Sequence, residues 1–319
     1  MTYDPPNTIA GQLQRGLGRG ALGARDAAAA VYACVRHDHR WWWHVDERAV
    51  YLARLIRDLG LSVAPLTERL HVPDPDDDNH EFTNTLEVLE VLGRAGVDGV
   101  VDEVRRYVAE GPRWQEALET VARQWPVELW DDLLPVVRGR VDGLVFGPPW
   151  ERWATRDPAL PLGVPEPMSF ADLPDGSRRW EWFCFVAEHG DEADVPQMLD
   201  GIAWLDARAD RCGYDVLVTG LARIGGAGTA GVPKLLRRLW LTPHSYERAS
   251  YLRAYLELEP TRAELALEEG LWDCEREVRL LAAQRVPLTP VLRRRLTYLR
   301  DDPIETPDVR AAAAARLEG

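Results

Sequence analysis

The chain has 319 residues, 46% of them hydrophobic, with 52 acidic against 38 basic side chains and a net charge of −14. That apolar content excludes wholesale disorder, and the negative charge disfavours nucleic acid and anionic membranes as partners. Cys34, Cys184, Cys212 and Cys274 are scattered without a C-x-x-C pair. They read as reduced thiols; with neither a signal-peptide core nor a run of roughly 18 apolar residues, the expectation is a soluble cytoplasmic protein.

Residues 1–14 read as a loose lead-in. Arg15–Gly23 follows, with Gly18, Gly20 and Gly23 spaced as G-x-G-x-x-G ahead of an alanine-rich helical run. A dinucleotide site needs a strand before that motif and a βαβ unit around it, and neither is visible. Two readings stay open: a flexible helix entry, or an anion held by Arg15 and Arg19 at a helix N-terminus. Only Lys234 is a lysine, so arginine alone is weak evidence for a site.

Arg36–Arg48 concentrates His37, His39, Arg40, Trp41, Trp42, Trp43 and His44. It reads as a structural turn, as a ligand or partner surface, or as a metal site with His37, His39 and His44 as nitrogen ligands. Asp46 is placed to cap the next helix, which ends at Gly60. In the loop 71–82, Asp74, Asp76 and Asp78 have calcium-loop spacing. Asn79 and Thr85 stand where glycine and glutamate are needed, so a solvated acidic loop is expected.

Helical patterning resumes at Phe82 and runs to about residue 142. Seven prolines between Gly143 and Asp175 then exclude long helices. Trp150 and Trp153 in that segment, with Trp180 and Trp182 just after it, are candidate binding residues; the alternative is an aromatic plug between two helical blocks.

The most regular part is C-terminal. DVLVTGLARI, YERASYLRAY, EVRLLAAQRV and DVRAAAAARL begin at Asp215, Tyr246, Glu277 and Asp308, each 31 residues after the last. Their second, sixth and tenth columns form a helical stripe, with Gly220, Tyr251, Ala282 and Ala313 in the middle. A fixed period near 30 with one amphipathic helix per unit predicts an all-α fold, an α-solenoid of antiparallel helix pairs. In chain order the expected domains are 15–142, an irregular helical block; 143–175, a connecting segment; and 176–319, the regular repeats. Arg238, Glu269 and Arg300 share a column and are expected to form an ion-pair row between repeats.

These strings resemble HEAT repeats, most closely the short HEAT-like kind of phycobilisome-lyase-type proteins. The likeness rests on Val278-Arg279 with Ala282-Ala283 and Val309-Arg310 with Ala313-Ala314. Asp273 stands six residues before Arg279, as in that family's aspartate–arginine ladder. Thr242 and Ile304 occupy the equivalent positions elsewhere, so only part of a ladder is expected. Residues 15–71 are similar to uncharacterised actinobacterial HEAT-repeat proteins. The resemblance implies a non-catalytic scaffold that binds another protein or peptide, with no cofactor. The HEAT-like DNA glycosylases offer an alternative that the net charge disfavours. An enzyme or metal protein using His37–His44 is a third, although no nucleophile–base constellation is legible.

Overall fold

The computed structural model describes residues 3–40, 46–72, 81–163, 177–208 and 212–319. Trp41–His44 and the Asp74–Asp78 loop lie outside them. Among the described residues the secondary structure is helical, nineteen α-helices and several 3-10 turns. The β contact present is an isolated bridge between Val145 and Leu162. The all-α expectation holds. Among the described residues no helix is long and apolar enough to cross a membrane.

The chain divides into two compact units that do not follow chain order. The first comprises Met1–Cys34, His39–Tyr51 and Ala171–Gly319; the second comprises Val35–Asp38 and Leu52–Phe170. Apart from Val35–Asp38, the chain up to Tyr51 thus groups with the C-terminal repeats, whereas the register predicts sequential blocks. Helices α1 (Ile9–Gln14) and α2 (Gly18–Gly23) belong to the first unit, while α3 (Ala28–Arg36) and α4 (Arg48–Asp58) are shared. Asp46 accepts a hydrogen bond from the Arg48 amide at the start of α4, and Gly60 follows its end with φ +62°.

The second unit holds α5 (Ala64–Leu70), α6 (Glu81–Arg94), α7 (Val100–Glu110), α8 (Trp114–Gln124), α9 (Leu134–Val137) and α10 (Trp150–Ala154). Helices α6, α7 and α8 pack on one another. Leu86, Leu89, Val104 and Leu118 are fully buried. Trp150 and Trp153 are also fully buried. Their rings meet edge-on 5.5 Å apart and continue to Trp114 at 6.1 Å and Trp130 at 6.0 Å. Their indole N–H groups donate to Glu119 at 2.8 Å and Asp131 at 3.1 Å. The expectation that Trp150 and Trp153 form a binding surface is therefore corrected. They belong to the interior of the second unit, where burial among other rings satisfies the apolar body of each indole and a carboxylate its N–H.

The rest of the first unit is α11 (Ser177–His189), α12 (Val195–Ala207), α13 (Tyr214–Ile224), α14 (Val232–Leu239), α15 (Arg248–Leu258), α16 (Pro260–Gly270), α17 (Arg276–Arg285), α18 (Pro290–Asp301) and α19 (Pro307–Glu318). Alternate helices pack in succession, α11 on α13, α13 on α15, α15 on α17 and α17 on α19. The even-numbered helices dock alongside, α14 and α16 on α15 and α18 on α19. Proline at the first or second position starts α12, α14, α16, α18 and α19, where its missing N–H costs nothing. The column of the register is internal: Gly220, Tyr251, Ala282 and Ala313 are all buried, Gly220 against Ala187 of α11 and Ala282 against Gly270 of α16.

Ala282 has no room to grow, since a Cβ built at Gly270 of α16 would already stand 3.2 Å from its methyl. Ala282→Leu is expected to overpack the core by about 1–3 kcal/mol. Equilibrium denaturation checks this; unchanged stability would mean the column does not carry the packing. Trp150→Ala should cost about 3–5 kcal/mol as a core truncation. A melting temperature equal to the parent's would return Trp150 to the surface role.

Candidate binding groove and the buried ion pairs beside it

The first unit is held together by buried charge. Arg248 and Arg279 occupy the third column of successive repeats, and both are buried. The Arg248 guanidinium forks onto Asp273 at 2.8 and 3.0 Å, and that of Arg279 forks onto Glu305 at 2.8 and 2.9 Å. Each arginine thus reaches the start of the following repeat. Two such rungs are present, and the acid of the second is Glu305, one residue past the expected position at Ile304.

The N-terminal segment locks onto the same rungs. Arg248 also donates to the carbonyls of Arg15 at 3.0 Å and Gly16 at 3.3 Å, and the Cys274 amide donates to Gly16 at 2.9 Å. Asp46 is gripped by the Nε–Nη2 edge of Arg48 and accepts from the Ser245 hydroxyl at 3.0 Å. Glu47 accepts from the Arg276 amide at 2.8 Å. Buried charges tolerate this only because every partner is present.

The glycines of Arg15–Gly23 serve this docking. Gly16 has φ +63°, a conformation L side chains resist, and a Cβ there would collide with Cys274. A Cβ on Gly18 would overlap the Glu269 carbonyl of α16. The stretch is a close-approach surface on α16, and the anion reading is corrected. Arg15 spends its guanidinium on the carbonyls of Asp4, Gly11 and Leu241. Arg19 forks onto Glu269, at 2.6 Å for the shortest contact.

Asp46, Cys274 and Glu275 bring three potential ligand atoms within 4.8 Å of one another in the buried interior. Arg48 on Asp46 and Arg248, 3.1 Å from the Cys274 sulfur, already supply the positive charge a cation would bring. Burial, reinforced by the negative charge of Asp46, pushes the Glu275 carboxyl up to about 8 against the pull of Arg248. Burial likewise raises Glu47, opposed by Arg279, whereas Arg48 holds Asp46 below the usual carboxylate range despite its burial.

The remaining sequence candidates separate. His39 is buried with its ring 5.6 Å from that of Tyr3, and its carbonyl accepts from the Tyr3 hydroxyl. Arg40 is buried and His37 half-buried. Trp41, Trp42, Trp43 and His44 lie outside the described residues, so the three-histidine metal set is not assembled among those described. Trp180 is half-buried against the core of α11–α15. Trp182 is 51% exposed and stacks on Phe185, centroids 5.9 Å apart, with its N–H donating to Gln197. Sequence reasoning missed His244, fully buried, whose Nδ1 lies 2.9 Å from the Tyr246 hydroxyl and 3.3 Å from the Cys212 sulfur. One nitrogen shared between phenol and thiol is not a dedicated base for either. The expected row of Arg238, Glu269 and Arg300 does not form, because they pair with Asp206, Arg19 and Asp301 instead.

Beside the docked α2 lies a groove of about 280 Å³ between α14, α15 and α16. Leu236 of α14 and Trp240 just past its end, with Tyr251 and the half-buried Tyr255 from α15, form its floor; Ala266 and Leu265 of α16 complete it. Arg19, Arg237 and Arg262 surround it, and Leu265 is 74% exposed. These positions fall at helical spacing, Tyr251 with Tyr255, and Arg262 with Leu265, Ala266 and Glu269, so each helix offers one face. Arg237 and Arg262 both turn toward Glu259, at 3.9 and 3.3 Å. Three guanidinium groups thus share two carboxylates. The arrangement suits binding, since it joins an apolar floor to three arginines with Glu269 among them.

Because Glu275 ionises near 8 in the folded chain and near 4.5 when unfolded, the folded state alone keeps its proton between those values. Stability should therefore fall as pH rises from about 4.5 toward 8. Thermal melts at pH 5.5 and 8.5 should show a clear loss for the parent and a much flatter response for Glu275→Gln. Equal slopes for the two would remove Glu275 as the cause.

Compared with known proteins, the chain matches no family model, no curated protein and no solved structure.

Proposed function

We propose that the protein is a HEAT-like solenoid acting as a non-catalytic scaffold for another protein or peptide. The observation that carries this reading is the groove of α14–α16, an apolar, aromatic recess bordered by Arg19, Arg237 and Arg262. Tryptophan, tyrosine and arginine are the side chains that dominate interface hot spots, and here they converge on a recess built by consecutive helices. The succession of α11, α13, α15, α17 and α19 supports the solenoid reading, because each helix buries its stripe on its neighbours. Trp182 and Phe185 on α11 add an exposed aromatic surface to the same unit.

A DNA-repair role would call for a basic track, but the exposed arginines Arg238, Arg253 and Arg300 are each paired with a carboxylate. With a net charge of −14, duplex binding would oppose the overall field.

Selection from a displayed random-peptide library, run beside titration with duplex DNA at low and high salt, tests the reading. The expected outcome is a set of peptides sharing a motif, with no DNA binding at physiological salt. DNA binding that falls steeply with salt, with no peptide enriched, would overturn the scaffold.

A further inference from the structure

We infer that the α14–α16 groove receives an acidic segment of a partner protein, one bulky apolar side chain seated in the recess and flanking carboxylates on the arginines. The inference rests on the scaffold reading and adds the chemistry of the partner.

Size argues for a side chain rather than a free small molecule. At about 280 Å³ the recess lies just below the roughly 300–1,000 Å³ of typical small-molecule pockets. A tryptophan, phenylalanine or leucine side chain suits it, with Trp240, Tyr255 and Leu236 as the apolar contact.

Charge argues for acidic flanks. Arg262 is 67% exposed, and Arg19 and Arg237 are each about half exposed, at 47% and 49%. Both Glu259 oxygens accept from Arg262 at 3.3 Å, and Arg237 reaches only the shared Oε2, at 3.9 Å. An incoming carboxylate can take the planar donor edge of either arginine as a two-point contact. This local excess of guanidinium lies on a chain of net charge −14, so it is opposite in sign to the protein as a whole. The groove therefore selects acidic segments that the remaining surface repels. Arg19 is positioned by Glu269, which also lines the groove, and by the close approach of Gly18 to α16, so the N-terminal segment completes the border.

The test uses three fluorescein-labelled peptides of roughly ten residues and the full chain. One carries Leu-Trp flanked by Asp and Glu; the second has lysine in place of every acid; the third has glycine in place of Leu-Trp. Saturable binding is expected for the first alone, weakening as salt rises. Arg262→Glu and Leu265→Asp change exposed positions and should leave the fold intact, which circular dichroism checks. Each should weaken binding by about tenfold or more. Arg253→Glu, on α15 but outside the groove, should bind like the parent. Equal binding of the lysine peptide, no saturable binding of the first, or indifference to both groove variants would overturn the inference. If library-selected peptides bind but ignore Arg262→Glu and Leu265→Asp, this site falls while the scaffold reading stands.

Discussion

The fork of Arg248 onto Asp273 is the contact on which the first unit depends. It ties the third column of one repeat to the start of the next, and its remaining donors hold the Arg15 and Gly16 carbonyls. A charge taken wholly out of water is stable only while all its partners stay in place. Removing one side of such a pair typically costs about 3–5 kcal/mol. Arg279 repeats the device one step along with Glu305, and spends another donor on the Asp273 and Cys274 carbonyls. Repeat stacking and N-terminal docking are thus set by the same guanidinium groups, and neither can shift without orphaning the other.

The two units use tryptophan differently. In the second, four rings from Trp114 to Trp130 meet edge-on, and the N–H groups of Trp150 and Trp153 find carboxylates, so the aromatic mass is internal. In the first, Trp240 is the buried wall of an open recess and Trp182 faces solvent. Local sequence gives both the same appearance, which is why Trp150 and Trp153 read as surface: a proline-rich segment with apolar rings looks alike whether it lines a groove or seals a gap.

What was legible came from periodicity. The 31-residue register located α13, α15, α17 and α19, and the small column at Ala282 and Ala313 named residues that are fully buried. Hidden were features that depend on distant partners. The Gly18 approach to Glu269 and the Glu47 contact with Arg276 leave no local pattern, so Arg15–Gly23 read as a helix entry or anion site. The ladder read as incomplete at Ile304 because Glu305 supplies the acid one residue out of register, which a longer side chain tolerates. The groove was invisible for a related reason. Its arginines are ordinary among the many in this chain, and only the packing of α2, α14 and α16 brings three of them around Trp240.

The docking of α2 on α16 also bears on how the chain reaches its folded state. Arg19 and Glu269 are separated by 250 positions. Ribosomal synthesis proceeds at about 5–20 residues per second, so Arg19 exists for on the order of ten to fifty seconds before Glu269 does. Through that interval the glycine-rich segment has only its N-terminal neighbours α1 and Tyr51 to rest on, and its closure onto α16 carries the entropy cost of a very long loop. The final repeats can close locally on their neighbours, whereas the border of the groove forms last, from residues made first.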